Sequence, residues 1–167
     1  THAESALRFA RLTDDEQLRT FALNSVAISQ EKAGQLDDAE RNFQETLVYW
    51  EKLGNRWNGS NALANLADIA DLRGNLPRAL EIYEKILATR IELNDRRGQV
   101  RAVSAIASLL RRLHRADDAV ARLLSARPLA ESIGGHRILA EFYGTLAQAQ
   151  ESGGDFAAAL VTERLAA

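Results

Sequence analysis

The stretch "GNLPRALEIY" at residues 74–83 is one of four versions of a single frame. The others are "GQLDDAERNF" at 34–43, "HRADDAVARL" at 114–123 and "GDFAAALVTE" at 154–163. Shifted by 40 residues, the chain superimposes on itself without insertion or deletion. Ala39, Ala79, Ala119 and Ala159 form one invariant column, and Ala27, Ala67, Ala107 and Ala147 form a second, twelve positions upstream. Val26, Leu66, Ile106 and Leu146 precede the second column, with Leu23, Leu63, Val103 and Tyr143 three positions before them. Phe43, Tyr83 and Leu123 follow the first column by four, where the last copy has Glu163. A fixed interval of this length marks one supersecondary unit repeated along the chain.

The spacings within a copy are helical. Leu63, Leu66, Ala67 and Ala70 recur at three and four, as do Ala79, Leu80, Tyr83, Ile86 and Leu87, so each set shares one helix face. Between the sets, "RGNL" breaks the helix at Gly74, which can adopt the left-handed conformation of a helix end. Pro77 suits the first turn of the next helix, where its missing N–H costs nothing. Asp37 and Asp117 take that place in other copies and favour the positive helix terminus. The paired Ala columns have no bulk, which lets two antiparallel helices approach closely. Such a pair cannot bury its apolar face alone and stacks on its neighbours.

Composition agrees with an all-α chain. There are only two Pro, and abundant Ala and Leu accompany few β-branched runs. No apolar run reaches the length of a membrane span, and no secretory signal is visible. Cysteine is absent, which removes disulfides and thiolate chemistry and suits a reducing compartment. A net charge of −2 lacks the basic field of a nucleic-acid binder. The bias of 18 Arg against 3 Lys points to a GC-rich, bacterial genome. A chain that starts Thr1-His2 and holds no Met reads as a piece of a longer protein.

The pattern resembles the tetratricopeptide repeat. Its Leu-small pair matches Val26-Ala27, Leu66-Ala67, Ile106-Ala107 and Leu146-Ala147, and its Ala-x3-aromatic matches Ala39/Phe43, Ala79/Tyr83 and, more loosely, Ala119/Leu123. The usual 34-residue unit is lengthened to 40 here by the linkers "LGNRWNG", "LNDRRGQ" and "IGGHRIL". That longer unit is similar to the variety in LGN-type scaffolds and in MalT-like or AfsR-like bacterial regulators. The resemblance implies a right-handed α-solenoid of antiparallel helix pairs. Residues 16–55, 56–95 and 96–135 are expected to be full repeats and 136–167 a truncated last one. Residues 1–15 would supply the second helix of a preceding repeat and a linker.

No catalytic constellation is found. His114 takes the turn place of Gly34, Gly74 and Gly154, and His136 lies in a linker without a carboxylate or second His at ligand spacing. The Gly pairs of "SIGGHR" and "ESGGDF" lack the strand and the Gly-Lys-Ser of a phosphate loop, so they read as helix closures. Asp37-Asp38 and Asp117-Asp118 recur at helix starts, where capping and solvation account for them. Neither metal nor cofactor is expected, and the chain reads as a non-enzyme.

A partner is expected on the concave face lined by the first helix of each repeat. The inward row runs Gln17, Phe21, Asn24, Ile28; then Trp57, Asn61, Ala64, Asp68; then Arg97, Arg101, Ser104, Ser108; then Arg137, Glu141, Gly144, Gln148. Asn65 sits at its edge. Trp57 either packs over the preceding linker or stands as an exposed anchor of the kind that dominates interface energies. Trp50, aligned with Arg90 and Ala130, is expected on the outer face or between repeats. By the resemblance, Asn61 and Asn65 would grip an extended ligand, although Asn65 could equally bridge neighbouring repeats. Residues 96–136 carry eight Arg against three carboxylates. Arg97, Arg101 and Arg111 or Arg112 fall on the concave stripe, where Arg97, Arg101 and Arg112 are expected to fork onto acidic side chains, unless this is a solvated face balanced by Asp68 and Asp71. The carboxylate clamp of chaperone-binding tetratricopeptide domains wants Lys and Asn at the places of Asn24 and Ile28, which argues against chaperone-tail capture.

The expected function is a protein–protein interaction module of a larger cytoplasmic regulator. Its concave groove would take a peptide or helix from a partner or from another domain of the same chain, with Phe21, Asn24, Ile28, Trp57, Asn61, Asn65, Asp68, Arg97, Arg101, Ser108 and Arg112 as binding residues. Nucleic acid and membrane are not expected partners. The alternative is a structural or homo-oligomerising segment, because Ala159, Leu160 and Leu165 of the last helix would stay uncovered.

Overall fold

The computed structural model describes residues 15–166 together with Ser5, Arg8 and Leu12. The second helix expected over residues 1–12 lies, those three positions apart, outside the described residues. The described residues form eight α-helices and no strand. They are α1 (Glu16–Lys32), α2 (Leu36–Lys52), α3 (Arg56–Leu72), α4 (Leu76–Glu92), α5 (Arg96–Arg112), α6 (Ala116–Ile133), α7 (His136–Ser152) and α8 (Phe156–Ala166). First helices begin at residues 16, 56, 96 and 136 and second helices at 36, 76, 116 and 156, so the sequence period is also the structural one. Two compact units contain them, Thr1–Asn75 with α1–α3 and Leu76–Ala167 with α4–α8.

One turn geometry closes most of these helices. Gln35, Asn55, Asn75, Asp95, Arg115 and Asp155 each donate their N–H to the carbonyl five residues back, at 2.9 Å in every case. That bond needs a left-handed residue just before the donor. Gly74 supplies it at φ 76°, and His114 adopts it at φ 60° despite its Cβ. His114 is therefore a turn residue. Downstream helix starts are capped by Asp15, Asn55, Asp95 and Asp155, whose side chains accept from the N–H of Leu18, Asn58, Gly98 and Ala158. Asp37 and Asp117 lie in the first turns of α2 and α6, as expected.

All eight residues of the two Ala columns are buried. In the first unit Ala27, Ala39, Phe43 and Ile69 form a closed cluster with Ile28, Leu36 and Leu66 packed around it. In the second unit Val100, Ile106, Leu123 and Phe142 are sealed from solvent. Each such side chain contributes on the order of 1.5–3 kcal/mol relative to exposure. Two expectations need correction. On α3 only Ala67 of the face at 63, 66, 67 and 70 is fully buried, whereas Ala62 and Ile69 off that face are sealed. The added side is the one that packs on the preceding helix: α3 rests on α2 there, as α5 in the second unit rests on α4 as well as on its own partner α6. Likewise Ala159 is buried, since it seats α8 on α7, while Leu160 and Leu165 do remain exposed.

Candidate protein-binding groove

In the first unit, α1, the end of α2 and α3 enclose a groove of about 420 Å³. Thr20, Phe21, Asn24 and Ile28 line it from α1, Thr46 and Trp50 from α2, and Trp57, Asn58, Asn61, Ala62, Ala64 and Asn65 from α3. The positions arise from helical spacing: 21, 24 and 28 on α1 and 57, 61, 64 and 65 on α3 each follow one face. Six of the expected binding residues, Phe21, Asn24, Ile28, Trp57, Asn61 and Asn65, thus meet in one place.

Its aromatic end is built in two layers. Trp50 forms the floor at 4% exposure, with its ring centroid 5.4 Å from Phe21 and 4.9 Å from Tyr49. Above it Phe21 and Trp57 remain half exposed, at 49% and 53%. Trp50 is thus not an outer-face residue. Its neighbour α1 supplies Phe21, which the column comparison could not pair with it. Gly59 lies beside this floor, and a Cβ there would stand 3.9 Å from Trp50 Cβ.

The remainder of the groove is uncharged and polar. Asn65 Nδ2 donates to Asn24 Oδ1 at 3.1 Å, so Asn65 bridges the first helices of neighbouring repeats. An amide has two N–H donors and a two-lone-pair acceptor. One Asn65 N–H is used in the bridge, and the amide N–H groups of Asn24 are not. The hydroxyls of Thr20 and Thr46 donate instead to carbonyls of their own helices, Glu16 and Asn42. None of the twelve lining residues is charged, so an ionised ligand group entering there would be left without compensation.

Asp68 lies beyond the groove lining, near Glu31. Burial first and then the Asp68 charge push the Glu31 carboxyl up, and Lys32 opposes them. The other expected residues belong to the second unit. Arg97, Arg101 and Arg112 are exposed and Ser108 is half-buried, all on α5. Several Arg of that region are engaged: Arg115 with Asp118, Arg122 with Glu84, Arg127 with Glu131, and Arg96 with the Ser132 hydroxyl. Where Trp50 stands in the first unit, the second has Arg90, buried and held by Asp95 at 2.7 Å. Among the described residues no group of three His, Cys, Asp or Glu could hold a metal ion. No described helix is long and apolar enough to cross a membrane.

Known proteins agree on the architecture. Residues 18–92 match the model of the tetratricopeptide repeat family. No curated protein matches the sequence. Among solved structures, BtubC (BKLC) from P. vanneervenii is similar at 19% identity and a TM-score of 0.82, over 98% of this chain and 68% of that one. A putative kinesin light chain of Podosopora anserina with nearly identical TPR-like repeats matches at 14% identity and a TM-score of 0.78, over 98% of this chain and 82% of that one. A Rap protein complexed with competence and sporulation factor matches at 16% identity and a TM-score of 0.78, over 96% of this chain but only 45% of that one. At such identities the likeness is one of fold. The column residues Ala27, Ala39, Phe43, Ala67, Ala79 and Tyr83 all fall within the matched stretch, so residues 18–92 are similar to the tetratricopeptide repeat family at the positions that pack its helix pairs.

Proposed function

We propose that the chain is a non-catalytic protein–protein interaction module whose first unit binds a peptide in the groove between α1 and α3. The observation that carries this reading is the pairing of two half-exposed aromatic rings, Phe21 and Trp57, with an uncharged row of Asn24, Asn61 and Asn65. An apolar side chain of the ligand enters over Trp50, and its backbone amides meet the Asn side chains. An extended segment fits better than a helix, because a helix satisfies its own backbone groups. In the second unit, Arg97, Arg101 and Arg112 offer forked donors to acidic side chains. The repeat family supports such a module, and the solved Rap complex contains a bound factor. The setting we infer is a larger bacterial regulator in a reducing cytoplasm, consistent with the absence of Cys.

Selection from a displayed random peptide library, followed by calorimetry with the enriched peptides, tests the groove. Trp57→Ala and Phe21→Ala each lower affinity at least tenfold while leaving the helical CD signal intact, although Phe21→Ala also costs about 0.5–1.5 kcal/mol through its lost pairing with Trp50. Peptides that bind the two variants as tightly as the parent protein would exclude this groove.

A second reading, self-association, is favoured by one observation. Phe156, Leu160, Val161 and Leu165 of α8 are 67%, 55%, 62% and 50% exposed. A mass that rises with concentration would support it.

A further inference from the structure

The two walls of the groove in the first unit carry the same order of side chains. On α1 it runs Phe21, Asn24, Ile28, and on α3 Trp57, Asn61, Ala64. Each wall sets two apolar places seven residues apart with an amide between them. At a helical rise of about 1.5 Å per residue, those places lie about 10.5 Å from each other. The lining is uncharged, so complementarity of charge selects a neutral ligand.

The distance selects the ligand's backbone. A β-strand returns side chains to one face at about 6.7 Å and again at about 13.4 Å, so it misses the second place by about 3 Å or more. A polyproline II helix returns to one face every third residue, after about 9.3 Å, and falls within about 1 Å of the walls. An α-helix also reaches one face after seven residues, but its own ladder engages the carbonyls that the amide row would meet.

The hydrogen-bonding groups point the same way. Asn24 Oδ1 already accepts from Asn65 Nδ2, which leaves the two N–H groups of Asn24 for a ligand. A polyproline II segment has no internal hydrogen bonds, so its carbonyls between the two apolar contacts are open to those donors. Proline fixes the conformation in advance and brings no N–H that the groove would have to satisfy. At the aromatic end, Phe21 and Trp57 stand half exposed over the buried Trp50. Grooves lined by aromatic rings are the surfaces on which proline-rich segments dock.

We propose that the groove between α1 and α3 takes an uncharged, proline-rich segment in the polyproline II conformation, with apolar residues three positions apart. One of them enters over Trp50 between Phe21 and Trp57, and the other rests on Ile28 and Ala64. Asn24 donates to a carbonyl between them. This proposal rests on the peptide-groove reading above and names the class of peptide.

Fluorescence anisotropy on the whole chain, with labelled decaproline as the probe, tests it. Decaproline should bind saturably, and a Gly-Ser peptide of the same length should not. Trp57→Ala and Asn24→Asp should each raise the dissociation constant about tenfold with an unchanged helical CD signal. Proline peptides with two leucines placed two, three or four positions apart then read the spacing. The three-apart peptide should bind at least about fivefold tighter than the others, and Ile28→Ala should erase that preference. Ala64→Glu serves in its place if Ile28→Ala melts below the assay temperature, because Ile28 also packs on the core. Decaproline that binds no better than the Gly-Ser peptide, or equally well to Trp57→Ala, overturns the proposal, as does a preference for two or four. Library peptides that still depend on Phe21 and Trp57 would then leave the groove reading standing. If no peptide's affinity depends on either ring, both readings fall.

Discussion

Asn65 donates to Asn24 across two successive repeats at 3.1 Å, and both side chains line the aromatic groove. The bridge and the groove therefore share residues, which gives the pair a structural and a ligand role that mutation can separate. Asn24→Asp keeps the accepting oxygen and removes the amide donors. The desolvation of the new carboxylate at this half-buried place is offset by a stronger, charge-assisted bond from Asn65, so stability should stay within about 0.5 kcal/mol of the parent, while affinity for a groove-binding peptide falls about tenfold through loss of donors to peptide carbonyls. Asn65→Ala removes the bridge itself and should cost about 1 kcal/mol as well as affinity. Denaturant titration and calorimetry on the two variants separate the roles; equal losses of stability would contradict the assignment.

Two helical glycines should respond in opposite directions to the same substitution. A Cβ on Gly98 would press into Asp95 Oδ2 and stand 2.7 Å from Arg90 Cδ. Asp95 cannot retreat freely, because it caps α5 through the Gly98 N–H and neutralises the buried Arg90 guanidinium. Gly98→Ala should lower stability by about 1–3 kcal/mol through overpacking. On Gly59 the nearest neighbours would be Leu47 Cδ1 and Trp50 Cβ, both at 3.9 Å, which is ordinary contact. There the helix propensity of alanine prevails, and Gly59→Ala should gain up to about 1 kcal/mol. Thermal melts followed by CD check the pair. A stabilised Gly98→Ala would mean that the Arg90–Asp95 arrangement yields readily.

Periodicity made the helix pairs legible, because a 40-residue shift aligns Gly74 with Gly34 and Ala79 with Ala39, residues whose roles are local. The second buried side of the first helices was not legible. It is marked by Ala22, Ala62 and Ala102, whose small side chains carry little hydrophobic signal, and by Ile69 and Leu109, which a single-face pattern leaves out. For Trp50 the copies left the outer face and a place between repeats open, and the structure takes the second, against Gly59 of the next repeat. The Trp50 column holds Arg90 and Ala130, so comparison between copies suggested no common environment, although all three are buried. The groove row at 21, 24, 28, 57, 61 and 65 could be read from spacing, since helix faces follow from the 3.6-residue turn. The engagement of Arg122 by Glu84, 38 residues away, could not be read, because it depends on the offset between stacked helices.

The pH dependence of stability should carry a small signature of Glu31. Burial and then Asp68 raise its carboxyl above the ordinary value of 4.5, against the opposing Lys32. A carboxyl that holds its proton more firmly in the folded chain than in the unfolded one makes the folded state the better proton binder in that window. Stability then falls as pH rises from the unfolded value through the folded one, and the ionised group remains unfavourable above it. Glu31→Gln removes the titration. The variant should match the parent below pH ~4 and exceed it at pH ~7 by no more than about 0.5 kcal/mol, as expected for a partly solvated site. In an Asp68→Asn background the gain at neutral pH should shrink, because the charge that opposes Glu31 is gone and only its burial remains. Guanidinium titrations of the four chains at both pH values measure this. A gain of the same size at both pH values would show that the substitution acts through packing and not through the charge of Glu31.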